Sequence, residues 1–154
     1  MKNIVGFLAV IIAITTSCNN LRNGNRYELA LRDAKKQHKF ILLDFSAEWC
    51  GGCKAFDKYV FQDSAIVGKL AENFLFLKFE RDNPENKFLV NKYRIYGLPH
   101  IVLIDAKEHI LGSVDGFDSK FVNNPDLFIV RINNIIDSQD SIRKLEAIFY
   151  SDTT

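Results

Sequence analysis

Cys50 and Cys53 are the side chains in this sequence whose type and spacing most clearly point to chemistry. Gly51 and Gly52 separate them, and Trp49 precedes them. The apolar run at 40–45 is too short for a typical helix and rich in strand formers, so it reads as a strand. A helical pattern follows, which puts Cys50 at a helix N-terminus, where unpaired backbone N–H groups carry partial positive charge. That field favours a thiolate, and cysteine pKa values of about 8.5 fall to roughly 3.5–7.5 in such places. Cys50 is therefore the expected nucleophile. Cys53, one turn further in, is more buried and less acidic, which suits a resolving thiol. Side chains three apart on a helix have Cβ atoms about 5–6 Å apart, against roughly 3.5–4.5 Å in a disulfide. The pair closes with a small adjustment and reopens readily.

The strand before the motif carries one discordant residue. Phe40 and Leu42 lie on one face, and Ile41, Leu43 and Phe45 on the other, the pattern of a central strand covered on both sides. Asp44 shares the face of Phe40 and Leu42, where an unpaired carboxylate is costly. Burial raises a carboxyl pKa, so Asp44 can take and return the proton of Cys53 as the disulfide opens and closes. A structural Asp hydrogen-bonded inside the fold is the alternative. Trp49 is expected to pack beside Cys50 and offer an apolar surface to a partner, or to be ordinary core. Glu48 and Lys54 read as solvated.

The segment Asp44-Phe45-Ser46-Ala47-Glu48-Trp49-Cys50-Gly51-Gly52-Cys53-Lys54 resembles the active-site segment of the thioredoxin family, and Tyr93-Arg94-Ile95-Tyr96-Gly97-Leu98-Pro99 resembles the family segment that ends in its cis-proline. The continuation from Lys54 to Phe61 is most similar to the C-terminal periplasmic domain of DsbD-type transmembrane reductant carriers. The resemblance runs from about Phe40 to Phe117. It implies an α/β thioredoxin-like fold: a central mixed sheet of about four strands flanked by helices, here with an extended C-terminal helical tail. It also implies a redox-active Cys50–Cys53 disulfide and a cis Leu98–Pro99 bond facing it. Trp49, Leu98, Pro99 and Gly116 would then bind substrate, with the Leu98 backbone pairing with an extended segment. A lysine near the buried Asp is a family feature, and Lys78 is the candidate. Gly51-Gly52 departs from the family's Gly-Pro.

The implied function is a thiol–disulfide oxidoreductase, with disulfide reduction favoured and oxidation or isomerisation as the alternative. Its expected partners are disulfide-bearing exported proteins and an upstream membrane thiol reductant. No cofactor beyond the disulfide is expected. The competing class is a soft-metal module using the dithiol with His38, His100 or His109. A structural zinc site normally needs four ligands with a second pair at recognisable spacing, which this chain lacks, so no metal is expected.

The 154 residues suit one domain, and 47% hydrophobic content with 13 Phe supports a sizeable core. A net charge of +1 with no basic cluster argues against a nucleic-acid partner. At the N-terminus, Lys2, an apolar run at 4–14 and the small residues before Cys18 have the form of a secretory signal. That cysteine resembles the lipidated first residue of bacterial lipoproteins. We therefore expect a signal at 1–17, lipidation at Cys18, a polar tether at 18–25 and the folded domain at 26–150. The protein would be lipid-anchored in the bacterial envelope and face the periplasm, a compartment that permits disulfides.

Around the motif, periodicity predicts a helix at 27–37 and a break in the motif helix near Val60 and Phe61. It predicts a helix at 64–73 capped by Asp63 with Ile66, Val67 and Leu70 inward, and a buried strand at 74–79. A short helix at 85–93, strands at 100–104 and 110–114, and helices at 126–138 and 141–150 complete the chain. Asp140 would cap the last of these.

Overall fold

A computed structural model describes residues 24–151, with side chains through Ile142. The expected signal, Cys18 and most of the tether lie outside these residues. The first helix, α1, spans 24–37, so it begins inside the stretch read as tether. It lays Tyr27, Ala30 and Ala34 on the core and stops at His38, whose φ of 55° is left-handed. Lys39 N–H closes the end on Ala34 C=O at 2.9 Å, a common helix stop.

Four strands form one mixed sheet in the order β2-β1-β3-β4. Strand β1 (Phe40–Ser46) is central, parallel to β2 (Phe74–Glu80) and antiparallel to β3 (His100–Ile104). Strand β4 (Ile110–Asp115) is antiparallel to β3. The alternation along β1 divides the core as its sequence requires. Ile41, Leu43 and Phe45 pack with Tyr27, Leu89 and Tyr93 on one side of the sheet. Leu42 packs with Phe56, Ile66, Phe128 and Ile132 on the other.

Helix α2 (Gly51–Phe56) carries the motif and passes into a wide π-type turn at Asp57–Phe61, where the sequence predicted a break. Helix α3 (Ser64–Asn73) starts where Asp63 Oδ1 accepts from the N–H groups of Ala65 and Ile66 at 2.9 and 3.1 Å, the expected cap. A short 3-10 turn at Pro84–Asn86 leads into α4 (Lys87–Lys92). The end of α4 repeats that of α1: Ile95 N–H bonds Val90 C=O at 3.0 Å around Arg94, at φ 54°. Glycine usually occupies such positions, and a side chain there costs roughly 1 kcal/mol.

Several expectations need correction. Strand β2 is a sheet edge rather than a fully buried strand, and it leaves Phe76 42% exposed. Val67 is also exposed, because it lies on the side of α3 away from the core that holds Ile66 and Leu70. A short helix α5 (Lys120–Asn123), not foreseen, seats Phe121. The two C-terminal helices are one, α6 (Asp126–Ser151). No Gly or Pro interrupts 126–151, and the hydroxyls of Ser138 and Ser141 donate back to the carbonyls of Ile135 and Asp137 at 2.7 and 2.9 Å. These bonds leave the serine side chains in a pattern compatible with a continuous helix through the residues read as a break. Phe128 and Ile132 are fully buried as expected, whereas the side chains of Leu145, Ile148 and Phe149 lie outside those described. Helix α6 sits tightly on β4: a Cβ at Gly112 would come within 2.7 Å of Ile135 Cγ2.

Candidate active site

The end of β1 and the start of α2 place the two cysteines where the sequence predicted. Cys50 is the N-cap of α2 with extended backbone, and its Sγ accepts from Cys53 N–H at 3.1 Å. The sulfurs are joined in a disulfide with the Cα atoms 5.3 Å apart. Ala47, Cys50 and Cys53 pack together with Leu98 against them. The cysteines are nearly buried, at 5% and 3% exposure.

The loop before β3 closes over the motif. The Leu98–Pro99 bond is cis. Gly116 N–H donates to Pro99 C=O at 2.9 Å, tying this loop to the end of β4. A Cβ on Gly52 would lie 2.9 Å from Pro99 Cδ and 3.4 Å from Phe117 Cβ. A side chain at the second glycine of the motif would therefore require the Pro99 loop to shift. Gly116 has φ +73°, a conformation suited to glycine. Phe117 stacks edge-on to Phe56 of α2, and Phe56 also meets Phe61, Phe121 and Phe128. A ring cluster thereby holds the motif helix in place from beneath.

Asp44 is 2% exposed on β1. Burial pushes its carboxyl up to about 6, opposed by the nearby Lys78 ammonium and assisted by the charge of Asp57. Pairing of β1 with β2 aligns Asp44 with Lys78, and Lys78 Nζ stands 3.7 Å from Asp44 Oδ2. The suspected lysine is therefore in place. Its main partner was not foreseen: Asp57 grips the same ammonium with both carboxylate oxygens. Asp57 follows Cys53 by four positions, a spacing that puts both on one side of a helix and was the available signal. Cys53, Asp57 and Lys78 line one open cleft of about 210 Å³, together with Lys54 and Glu80. Asp44 meets this cleft through Lys78 and makes no hydrogen bond to either cysteine.

Trp49 is 65% exposed, which removes its reading as core. Its indole N–H donates to Asp82 Oδ2 at 2.7 Å, so the ring is tethered at the surface beside the motif. His100 follows Pro99 but is engaged by Asp115, with Nδ1 2.5 Å from Oδ1. His109 is engaged by Asp105 at 2.8 Å. Among the described residues, no group of three His, Cys, Asp or Glu side chains is placed to hold a metal ion. No helix among them is long and apolar enough to cross a membrane.

The arrangement is a nearly buried disulfide with a buried carboxyl on the preceding strand and Leu98 of the cis-proline loop packed against it. Known proteins are similar to this chain in sequence and in fold. The thiol:disulfide interchange protein DsbD of Photorhabdus laumondii is 35% identical over 104 residues, which are 66% of this chain and 18% of that protein. The chain thus spans less than a fifth of the length of this relative. The reduced C-terminal domain of Neisseria meningitidis DsbD superposes with a TM-score of 0.51 at 25% identity, covering 65% of this chain and 91% of that domain. A disulphide isomerase from Xylella fastidiosa superposes with a TM-score of 0.53 at 26% identity, covering 66% and 79%. The model of the family described as Thioredoxin-like matches residues 22–106, more than half the chain, and the protein belongs to that family.

Proposed function

We propose that this protein is a thiol–disulfide oxidoreductase that reduces disulfides of exported proteins. The carrying observation is the Cys50–Cys53 disulfide at the N-terminus of α2, nearly buried against the cis-Pro99 loop. In the reduced protein the Cys50 thiolate attacks a substrate disulfide. One substrate sulfur leaves as a thiolate, and the other is held in a mixed disulfide with Cys50. Cys53 then loses its proton towards Asp44 and attacks the Cys50 sulfur. The second substrate thiolate leaves, and two electrons have passed from the dithiol to the substrate. Asp57 and Lys78 act as positioning residues, since they set the charge next to Asp44 and line the cleft at Cys53. The two sulfurs carry both electrons, so the exchange as proposed uses no separate redox cofactor.

A second electron pair must restore the dithiol, and its proposed source is a membrane thiol reductant. Kinship with DsbD proteins and the form of residues 1–18 support a periplasm-facing protein held by a lipid on Cys18. Trp49, Leu98, Pro99 and Gly116 form the proposed contact surface for substrate. Oxidation or isomerisation uses the same sulfur chemistry, and the Xylella relative is described as an isomerase. For a two-electron couple about 30 mV corresponds to 1.4 kcal/mol, so the potential decides the direction.

The test is reduction of a protein disulfide, followed as insulin turbidity with dithiothreitol as the donor. The wild-type protein accelerates it, and Cys50→Ser abolishes the acceleration. Cys53→Ser accumulates a mixed disulfide on Cys50, read by mass spectrometry. Full activity in Cys50→Ser overturns the assignment.

A further inference from the structure

Arg94 occupies the left-handed position that closes α4, with φ 54°. Glycine adopts this conformation freely because it has no Cβ to meet the carbonyl, and an arginine there is held against its own backbone preference. The neighbouring cation Lys92 has a partner in Glu108. Arg94 makes no ion pair and no side-chain hydrogen bond among the described residues.

Arg94 lines a groove of about 290 Å³ with Tyr96, Leu98, Pro99, His100 and Gly116. Leu98 also packs against the two cysteines, so this groove opens beside the dithiol. Tyr96 is 84% exposed at its rim. The carboxylate in the groove, Asp115, is already engaged by His100 Nδ1 at 2.5 Å and Ser113 Oγ at 2.9 Å. Arg94 is the side chain of this groove that has charge and no polar partner among the described residues.

We propose that this groove is a specificity subsite in which Arg94 recognises an acidic residue next to the reacting cysteine of the substrate protein. A guanidinium presents its donors as a fork that matches a carboxylate, and the Tyr96 ring offers a flat face for the methylene groups of a Glu. The proposal rests on the thiol–disulfide exchange reading.

The test uses two disulfide peptides identical except for Glu or Gln beside the reacting cysteine. Each enzymatic kcat/KM is divided by that peptide's uncatalysed rate with dithiothreitol, which removes intrinsic differences in reactivity. The wild-type protein should favour the Glu peptide about threefold to fivefold, the size of a well-placed exposed ion pair. The ratio should fall towards about 1 at high salt and in Arg94→Gly, while Arg94→Lys keeps part of it. Glycine suits the φ at this position, so the variant is not expected to lose its fold. A wild-type ratio near 1, or one unchanged in Arg94→Gly, overturns the subsite and leaves the exchange chemistry standing. No exchange with either peptide overturns the exchange reading and the subsite with it.

Discussion

Replacing Asp44 with Asn should stabilise the protein at neutral pH. The carboxyl is 2% exposed, and its nearest cation, Lys78, stands 3.7 Å away with its stronger bond to Asp57. Burial moves the Asp44 pKa from 3.8 to about 6. Each tenfold step in proton affinity is worth about 1.4 kcal/mol, so ionising this group in the folded protein costs roughly 3 kcal/mol. Between about pH 4 and pH 6 the folded state binds more protons than the unfolded chain, so stability falls as pH rises through that window. Above it the penalty is fully present. Asp44→Asn has no such penalty, so its advantage should grow from near zero at about pH 4 to as much as about 3 kcal/mol above pH 6. Urea unfolding of both oxidised proteins across this range, with equal m-values, reads the difference directly. The same variant should exchange disulfides at least about tenfold more slowly, because Cys53 loses its proton acceptor. Parallel stability curves, or a variant less stable at neutral pH, would refute the reasoning.

Asp57→Asn and Lys78→Met should move the Asp44 pKa in opposite directions. Removing the Asp57 charge lowers it and removing the Lys78 ammonium raises it, and the acid limb of the exchange-rate profile should follow. Gly52→Ala should cost about 1–3 kcal/mol by urea unfolding, and it should slow exchange, because the new methyl meets Pro99 Cδ at 2.9 Å. Tyr27→Phe should cost about 1–2 kcal/mol without changing the exchange rate. It removes the buried hydroxyl that bonds Tyr93 and donates to Glu108 at 2.6 Å, away from the dithiol.

The parts of the site that sequence reveals are those whose physics is local. Cys50 and Cys53 declare a helix start, Asp44 interrupts an apolar strand, and Asp63 caps the next helix within three residues. Pro99 was placed by resemblance, and its cis bond faces the motif as implied. What sequence left open, as with the candidate Lys78, depends on pairing between distant segments. Lys78 reaches Asp44 only because β1 and β2 align those two residues, and a slip of one position would turn it away. The spacing of Asp57 from Cys53 places it on the cysteine's side of the helix, but its ion pair appears only when Lys78 arrives from β2. Arg94 looks like a surface charge, because a left-handed φ on a non-glycine residue leaves no mark in the sequence. The expected break at Asp140 shows the converse error. A good capping residue was read as a helix start although nothing before it ended the helix.

The reduction potential of the Cys50–Cys53 couple, measured by equilibration in glutathione and dithiothreitol buffers, bears most directly on the assignment as a reductase. A value near about −270 mV, the thioredoxin range, is the result predicted here. A value near about −120 mV, the range of a strong oxidant, or a pair that never closes into a disulfide, would contradict it.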